Sequence, residues 1–404
     1  MKIPKTKKII RCRLCGNRKL DFLFDYGNLF VSNFVKKPEI YKGIKSPLRL
    51  VNCEKCHLLQ LSHSAPQEIM YKKYYWYRSG ITDTMKLALK DIYNSVLKLR
   101  ILKKNDVILD IGANDGTLLS YFKKNYRTVA CEPAKNLQNY LKKNCDYVMN
   151  DFWSASKLKN ILIKNNLPKP KLITAIGMFY DLENPSKFIS DAYKALDDDG
   201  VFVAQLMCLK SMIDKNDLGN VCHEHLEFYT YKSLKYLFEK NGFYIFKIEE
   251  NNVNGGSFRI FALKGKKKSI TFQENTSLKY IKKFIDNVEK NKKLFLDFLS
   301  RELKSGKTFH VYGASTKGNT VLQYFKLDSS RISHASDRSP EKWGKYTIGS
   351  GIKIISEKDS RKMNPNYYVV FPYGFIDEFK KREKKWLKKG GKFIVLYPKF
   401  NIVS

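Results

Sequence analysis

Val107-Ile108-Leu109-Asp110-Ile111-Gly112-Ala113-Asn114-Asp115-Gly116-Thr117-Leu118-Leu119-Ser120-Tyr121-Phe122 decides the fold. An apolar strand, a glycine turn and an amphipathic helix succeed one another in this stretch. Gly112 and Gly116 let the backbone turn tightly and approach a ligand at the helix N-terminus. A second strand, Thr128 to Cys131, ends in Glu132, about 20 residues after the turn begins, where an acidic side chain can grip ribose hydroxyls. A nicotinamide site would need G-x-G-x-x-G, but Asn114 stands where that pattern has its second glycine. Further strand signals at residues 171–176 and 200–206, separated by a helix around 185–196, predict an α/β doubly wound parallel sheet.

A second sheet is expected beyond it. A helical connector rich in Lys and Glu runs over residues 269–305, and a strand at 308–312 leads into Gly313-Ala314-Ser315-Thr316-Lys317-Gly318-Asn319-Thr320. Small residues opening a helix can hold an anion on their N–H groups, although no Gly-Lys-Ser/Thr follows to make a P-loop. Strand signals at 332–335, 367–371 and 392–396 complete a Rossmann-like unit without a second donor fingerprint.

The chain of 404 residues is long enough for two or three domains, and its 43% apolar content excludes disorder as the main description. Its net charge of +36 invites a polyanionic partner, yet Arg supplies only 13 of the 75 basic residues. Lysine spread over presumed solvated faces argues against nucleic acid, which is read best by Arg forks. No stretch approaches the ~18 apolar residues of a membrane span, and the basic start, Met1 to Ile10, leads into no apolar signal region. A cytoplasmic, reducing location is expected. There the eight cysteines point to thiols or metal rather than disulfides.

Cys12-x-x-Cys15 and Cys53-x-x-Cys56 have metal spacing. Two knuckles turn four thiolates onto one ion, as tetrahedral Zn²⁺ prefers, and a closed all-thiolate site is structural. His57 and His63 are alternative ligands, while Cys131, Cys145, Cys208 and Cys222 lack such spacing and read as core or incidental.

Cys222-His223-Glu224-His225-Leu226-Glu227-Phe228-Tyr229 holds two of the chain's six histidines. This is not H-E-x-x-H, since residues i and i+2 share no helix face; in a strand His223 and His225 would point the same way. Histidine suits proton transfer near neutral pH.

The donor-loop run with Glu132 resembles class I S-adenosylmethionine (SAM) methyltransferases. Joined to the cysteine knuckles, the His-Glu-His run, Asn254-Gly255-Gly256-Ser257-Phe258-Arg259 and the Gly313–Thr320 turn, it resembles the three-domain nucleotide-sugar C-methyltransferases over nearly the whole chain. The resemblance implies a zinc-binding domain over 1–72, a Rossmann-like class I methyltransferase domain over 73–268, and a connector with a second Rossmann-like domain over 269–404. It implies C-methylation of a nucleotide-linked keto-deoxysugar through an enolate. Asp110, Gly112, Asn114, Gly116, Glu132, Asp151 and Ser79 would then bind the donor, with Glu132 on the ribose and Asp151 near the adenine. His225 would be the base, with Glu224 and His223 in its network and Tyr77 or Tyr75 supporting the enolate. Asn254, Arg259, Lys317 and Asn319 would contact the substrate, the last two near the diphosphate, in a monomer or weak homo-oligomer.

The family carries an aromatic residue and Asp where this chain has Leu218-Gly219, and often an aromatic where it has Cys222. This departure points to an altered substrate pocket. An O-methyltransferase on the same scaffold is the alternative; a nucleic-acid-binding zinc protein or RNA methyltransferase is a further one, which scarce Arg and the lack of an aromatic RNA platform oppose.

Overall fold

A computed structural model describes residues 6–72 and 74–404; the outer ends of the expected first domain and the first residue of the second, residues 1–5 and 73, lie outside the described residues. Val107–Ile111, buried at every position, sits at the centre of a seven-stranded sheet. Leu172–Ile176 and Arg127–Cys131 flank it in parallel, Val201–Met207 and Tyr147–Met149 extend it in parallel, and Ser257–Lys264 and Phe243–Asn251 close one side antiparallel. Strands covered on both faces need apolar side chains throughout, which is why these segments read as continuous runs without alternation. The helix Pro185–Ala195 begins as its sequence dictates: Pro185 occupies the first turn, and the Asn184 side chain accepts the Lys187 amide at 3.0 Å.

The second parallel sheet is present as expected. Phe309–Tyr312 is its centre, flanked by Tyr367–Val370 and His334–Asp337, with Lys392–Val395 and Lys353–Ser356 outside them. The connector is helical only over Leu278–Lys304. Its buried face, Ile281, Phe284, Ile285, Val288, Phe295, Phe298 and Leu299, recurs every three or four residues and packs on the second core. Residues 269–277, expected to be helical, instead return to the first sheet, where Ile270 N donates to Ile245 O at 2.9 Å and the buried Ser269 hydroxyl accepts from Ile245 N at 3.0 Å.

Two pairings tie distant parts of the chain together. Phe34–Val35 adds an edge strand to the second sheet through Tyr346–Thr347. Glu227–Phe228 adds a strand to the small N-terminal sheet through Leu59–Leu61. That second pairing shows that the His223 to His225 run is not the strand in which both rings would point the same way. These residues form a turn in which His225 N donates to Cys222 O at 3.1 Å, and pairing begins only at Glu227. The turn sends the rings to separate carbonyls: a His223 nitrogen, Nε2, meets Ser46 O at 2.9 Å, and His225 Nδ1 meets Asn220 O at 2.7 Å. Burial of both imidazoles demands such partners, and one strand face would not supply both.

Candidate active site

The four knuckle sulfurs lie within 4.8 Å of one another, with Cys12 Sγ to Cys56 Sγ at 3.6 Å and Cys15 Sγ to Cys53 Sγ at 3.5 Å. A tetrahedron with Zn–S bonds of about 2.3 Å has edges of about 3.8 Å, so the thiols fit a zinc ion closely. Both knuckles need a left-handed residue after the second cysteine: Gly16 has φ +74° and His57 φ +57°. His57 thus serves the turn with its backbone, and neither it nor His63 joins the sulfur cluster. Gln60 Nε2 donates to Cys12 Sγ at 3.2 Å and Asn17 Nδ2 to Cys53 Sγ at 3.7 Å, orienting the thiolates from behind.

A cavity of about 520 Å³ opens at the carboxyl ends of the central strands and is lined from all parts of the chain. Gly112, Asn114, Asp110 and Glu132 form one wall. Gly112 has φ +74°, and a Cβ there would lie 2.7 Å from Met178 Cγ, so the close backbone approach is available to glycine alone. The Glu132 carboxylate accepts the amides of Asn114 and Ala134, each at 2.9 Å. Burial outweighs those bonds and pushes its pKa up to about 7; burial does the same to Asp110, which accepts from Thr174 Oγ1 at 2.6 Å. Gly116 has φ +78° at the cap of the following helix and shapes the turn from outside the cavity lining.

The tyrosine segment is pinned to this wall by asparagines. Asn136 brackets Tyr75, accepting from its N at 3.0 Å and donating to its O at 3.1 Å. Asn114 accepts from Ser79 N at 2.9 Å and donates to Tyr77 O at 3.1 Å. Ser79, Tyr75 and Tyr77 all line the cavity. Burial raises both phenols, Tyr77 up to about 12 and Tyr75 further, with Glu224 and then Asp181 adding to the effect on Tyr75. Both are therefore hydrogen-bond donors at neutral pH.

Across the cavity stand Glu224 and His225. His225 Nδ1 is occupied by the Asn220 carbonyl, so the neutral ring carries its proton there and offers the Nε2 lone pair. Burial holds the His225 pKa well below its usual value, and the Lys317 charge adds to this; the Tyr180 ring meets the imidazole edge-on at 4.6 Å. Glu224 Oε2 accepts from Thr316 Oγ1 at 2.8 Å, and burial raises its pKa. In one cavity, a neutral imidazole can remove a proton from carbon and protonated phenols can stabilise the oxyanion that forms.

Besides Gly116, four expected site residues stand outside the cavity lining. Arg259 is 2% exposed, absent from the cavity, and saturated by Gln205, Ser95, Glu249 and Asp91 at 2.7–3.2 Å. It braces the sheet against the helix Asp83–Leu97. Asn319 is buried beside Ser350 and does not reach the cavity. Asp151 pairs with Lys157 and Lys72 at the surface, though its neighbours Phe152 and Trp153 do line the cavity. His223 faces Ser46 rather than the cavity.

Other groups escaped the sequence. Asp181 and Asp217 line the cavity, and burial raises Asp217 to about 6. A Cβ at Gly219 would sit 3.1 Å from Asp217 Oδ1, so the carboxylate occupies space that a larger residue at 219 would contest. Asn220 acts through its carbonyl, for which residue type gives no signal.

Sheet, donor loop and cavity together define a SAM-dependent methyltransferase with a zinc-binding N-terminal module. Three family models match in order: "Putative zinc binding domain" at residues 12–71, "Methyltransferase domain" at 83–248, and "C-methyltransferase C-terminal domain" at 252–398. The three matches follow one another along the chain with few residues between them. It is 24% identical over 414 residues to the C-methyltransferase NovU of Streptomyces niveus, covering 99% of this chain and 98% of that protein. Among solved structures, magnesium protoporphyrin IX methyltransferase from Synechocystis PCC 6803 with bound SAM is 10% identical, with TM-score 0.35 over 45% of this chain and 79% of that one. The plantazolicin methyltransferase with bound S-adenosylhomocysteine is 15% identical, with TM-score 0.34 over 45% of this chain and 84% of that one.

Proposed function

We propose that the enzyme C-methylates a nucleotide-activated keto-deoxysugar, with His225 as the base. The observation that carries this reading is the His225–Asn220 hydrogen bond, which leaves Nε2 as the free nitrogen of a neutral imidazole in the cavity wall. Nε2 takes the proton from the carbon beside the substrate ketone, the C–H electron pair becomes the enolate double bond, and charge passes to the ketone oxygen. Tyr75 or Tyr77 donates a hydrogen bond to that oxygen. Bound SAM supplies an electrophilic methyl group. The enolate carbon takes it while the ketone reforms. Asn254, held at φ +52° in the cavity wall beside Gly255, faces the sugar nucleotide.

Incubation with a 4-keto-6-deoxyhexose nucleotide in D₂O tests the reading. Deuterium is expected at the carbon next to the ketone, with a C-methyl product. An ether product without exchange at that carbon replaces enolate chemistry with O-methylation.

Donor binding should depend on pH through Glu132. A carboxylate accepts ribose hydroxyls best when ionised, and the Glu132 pKa lies near 7. Protonation weakens the site as pH falls, so S-adenosylhomocysteine affinity should rise by up to about tenfold from pH 6 to pH 8. Titration calorimetry reads this directly: flat affinity in the wild type removes Glu132 from the ribose. The Glu132→Gln variant should show weak binding with the pH dependence lost.

A further inference from the structure

The first turn of the helix Thr316–Tyr324 meets the loop that carries His225. Lys317 Nζ donates to Asn220 Oδ1 at 2.8 Å, and the carbonyl of the same Asn220 accepts the His225 Nδ1 proton at 2.7 Å. One residue therefore joins the lysine to the imidazole, side chain to the cation and main chain to the ring. Thr316 Oγ1 donates to Glu224 Oε2 at 2.8 Å, so neighbours in the C-terminal part hold neighbours in the His-Glu-His turn. Asn220 is 2% exposed, which excludes water as a substitute partner and gives the link one geometry. The other contact of the lysine, Met207 Sδ at 3.2 Å, carries no charge.

We propose that Lys317 and Asn220 are positioning residues for proton abstraction: the C-terminal part of the chain, through Lys317–Asn220–His225, fixes the tautomer and orientation that leave Nε2 free. This rests on the reading of His225 as base. It gives Lys317 a different task from the diphosphate contact expected of it, and it makes docking of the C-terminal part a condition of base competence. Glu224, Asp217, Asp181, Tyr75 and Lys317 line the cavity with His225, Tyr180 packs edge-on against its ring, and Cys222 lies beside it on its own loop, where its carbonyl accepts the His225 amide. Removal of the lysine leaves carboxylates and phenols, all of which favour a charged imidazole or leave it unaffected.

Lys317→Met, Lys317→Arg and His225→Ala, assayed with a 4-keto-6-deoxyhexose nucleotide and SAM, test the assignment. Lys317→Met should lower kcat on the order of 10- to 100-fold, the scale of a misplaced catalytic group. KM for the sugar nucleotide should stay near wild type, and the acidic limb of the kcat–pH profile should move to higher pH. Lys317→Arg, which keeps the cation, should return the limb toward its wild-type position. A raised KM with kcat and limb unmoved would overturn the proposal and make Lys317 a ligand of the substrate anion. If Lys317→Met also loses S-adenosylhomocysteine binding, Asn220→Ser carries the test: a fall in kcat with a shifted limb upholds the link, and unchanged values overturn it. Near-normal turnover by His225→Ala would dispose of the base itself, whereas an inactive His225→Ala beside an unmoved Lys317→Met limb disposes of the link alone.

Discussion

His225→Ala should lose about 10²- to 10⁴-fold in kcat, the range that a positioned general base contributes, while binding S-adenosylhomocysteine almost as the wild type does. The donor wall is built from Gly112, Asn114 and Glu132 on the central strands, and none of these bonds to the imidazole. Solvent exchange should disappear with turnover, since the same nitrogen serves both. The pH profile of the wild type gives a second reading. His225 is held well below its usual pKa by burial and by Lys317, so the base stays neutral through the whole neutral range. The acidic limb should therefore lie below the ordinary histidine value near 6.5. Calorimetry with S-adenosylhomocysteine and steady-state turnover on one preparation check both parts. Retained turnover, or a loss of donor binding as large as the loss of turnover, is the result that contradicts the assignment.

How much was legible in the sequence follows from what each feature depends on. The donor loop was readable because its chemistry lies in backbone shape: Gly112 and Gly116 adopt positive φ, and the covered strand Val107–Ile111 is apolar at every position but Asp110. The zinc knuckles were readable for the same reason, each being a local turn with fixed spacing. The His-Glu-His run stood out by composition but its conformation did not, because its turn is set by the distant carbonyls of Ser46 and Tyr180 and by the strand Leu59–Leu61. Arg259 shows the opposite failure. A basic residue after two glycines reads as an anion ligand, yet partners from three separate segments close around it. Lys317 lines the cavity, while its bond to Asn220 crosses 97 residues and leaves no local trace.

Zinc loss should have the other large effect, and it should reach the base before it reaches the donor site. Binding of structural Zn²⁺ contributes about 10–16 kcal/mol in zinc-finger peptides, as much as a whole domain's net stability of about 5–15 kcal/mol. Cys15→Ser or a strong chelator should therefore unfold the N-terminal module. The strand Leu59–Leu61 follows closely on Cys56 and pairs with Glu227–Phe228, and Leu61 N donates to Leu226 O at 2.9 Å, immediately beyond His225. Arg13, beside Cys12, brings its Nε to 3.8 Å from the buried Glu227 carboxylate. Unfolding of the knuckles removes both supports from the turn that aims the imidazole. The seven-stranded sheet that carries Glu132 shares no strand with this module and meets it through packing of Cys12, Leu14, Cys53, Cys56 and Leu58 into the core that holds Val107, Leu109 and Ile111, so donor binding should fall less than turnover. Expected, then, are loss of bound zinc, amide exchange rising over residues 12–61 and 222–228, and a collapse of kcat, with S-adenosylhomocysteine affinity within a few-fold of wild type. Parallel loss of donor binding and turnover would mean that the module holds up the whole enzyme. Retained turnover after zinc release would mean that the pairing Glu227–Phe228 with Leu59–Leu61 does not need the metal, and the base is held by the Asn220 side alone.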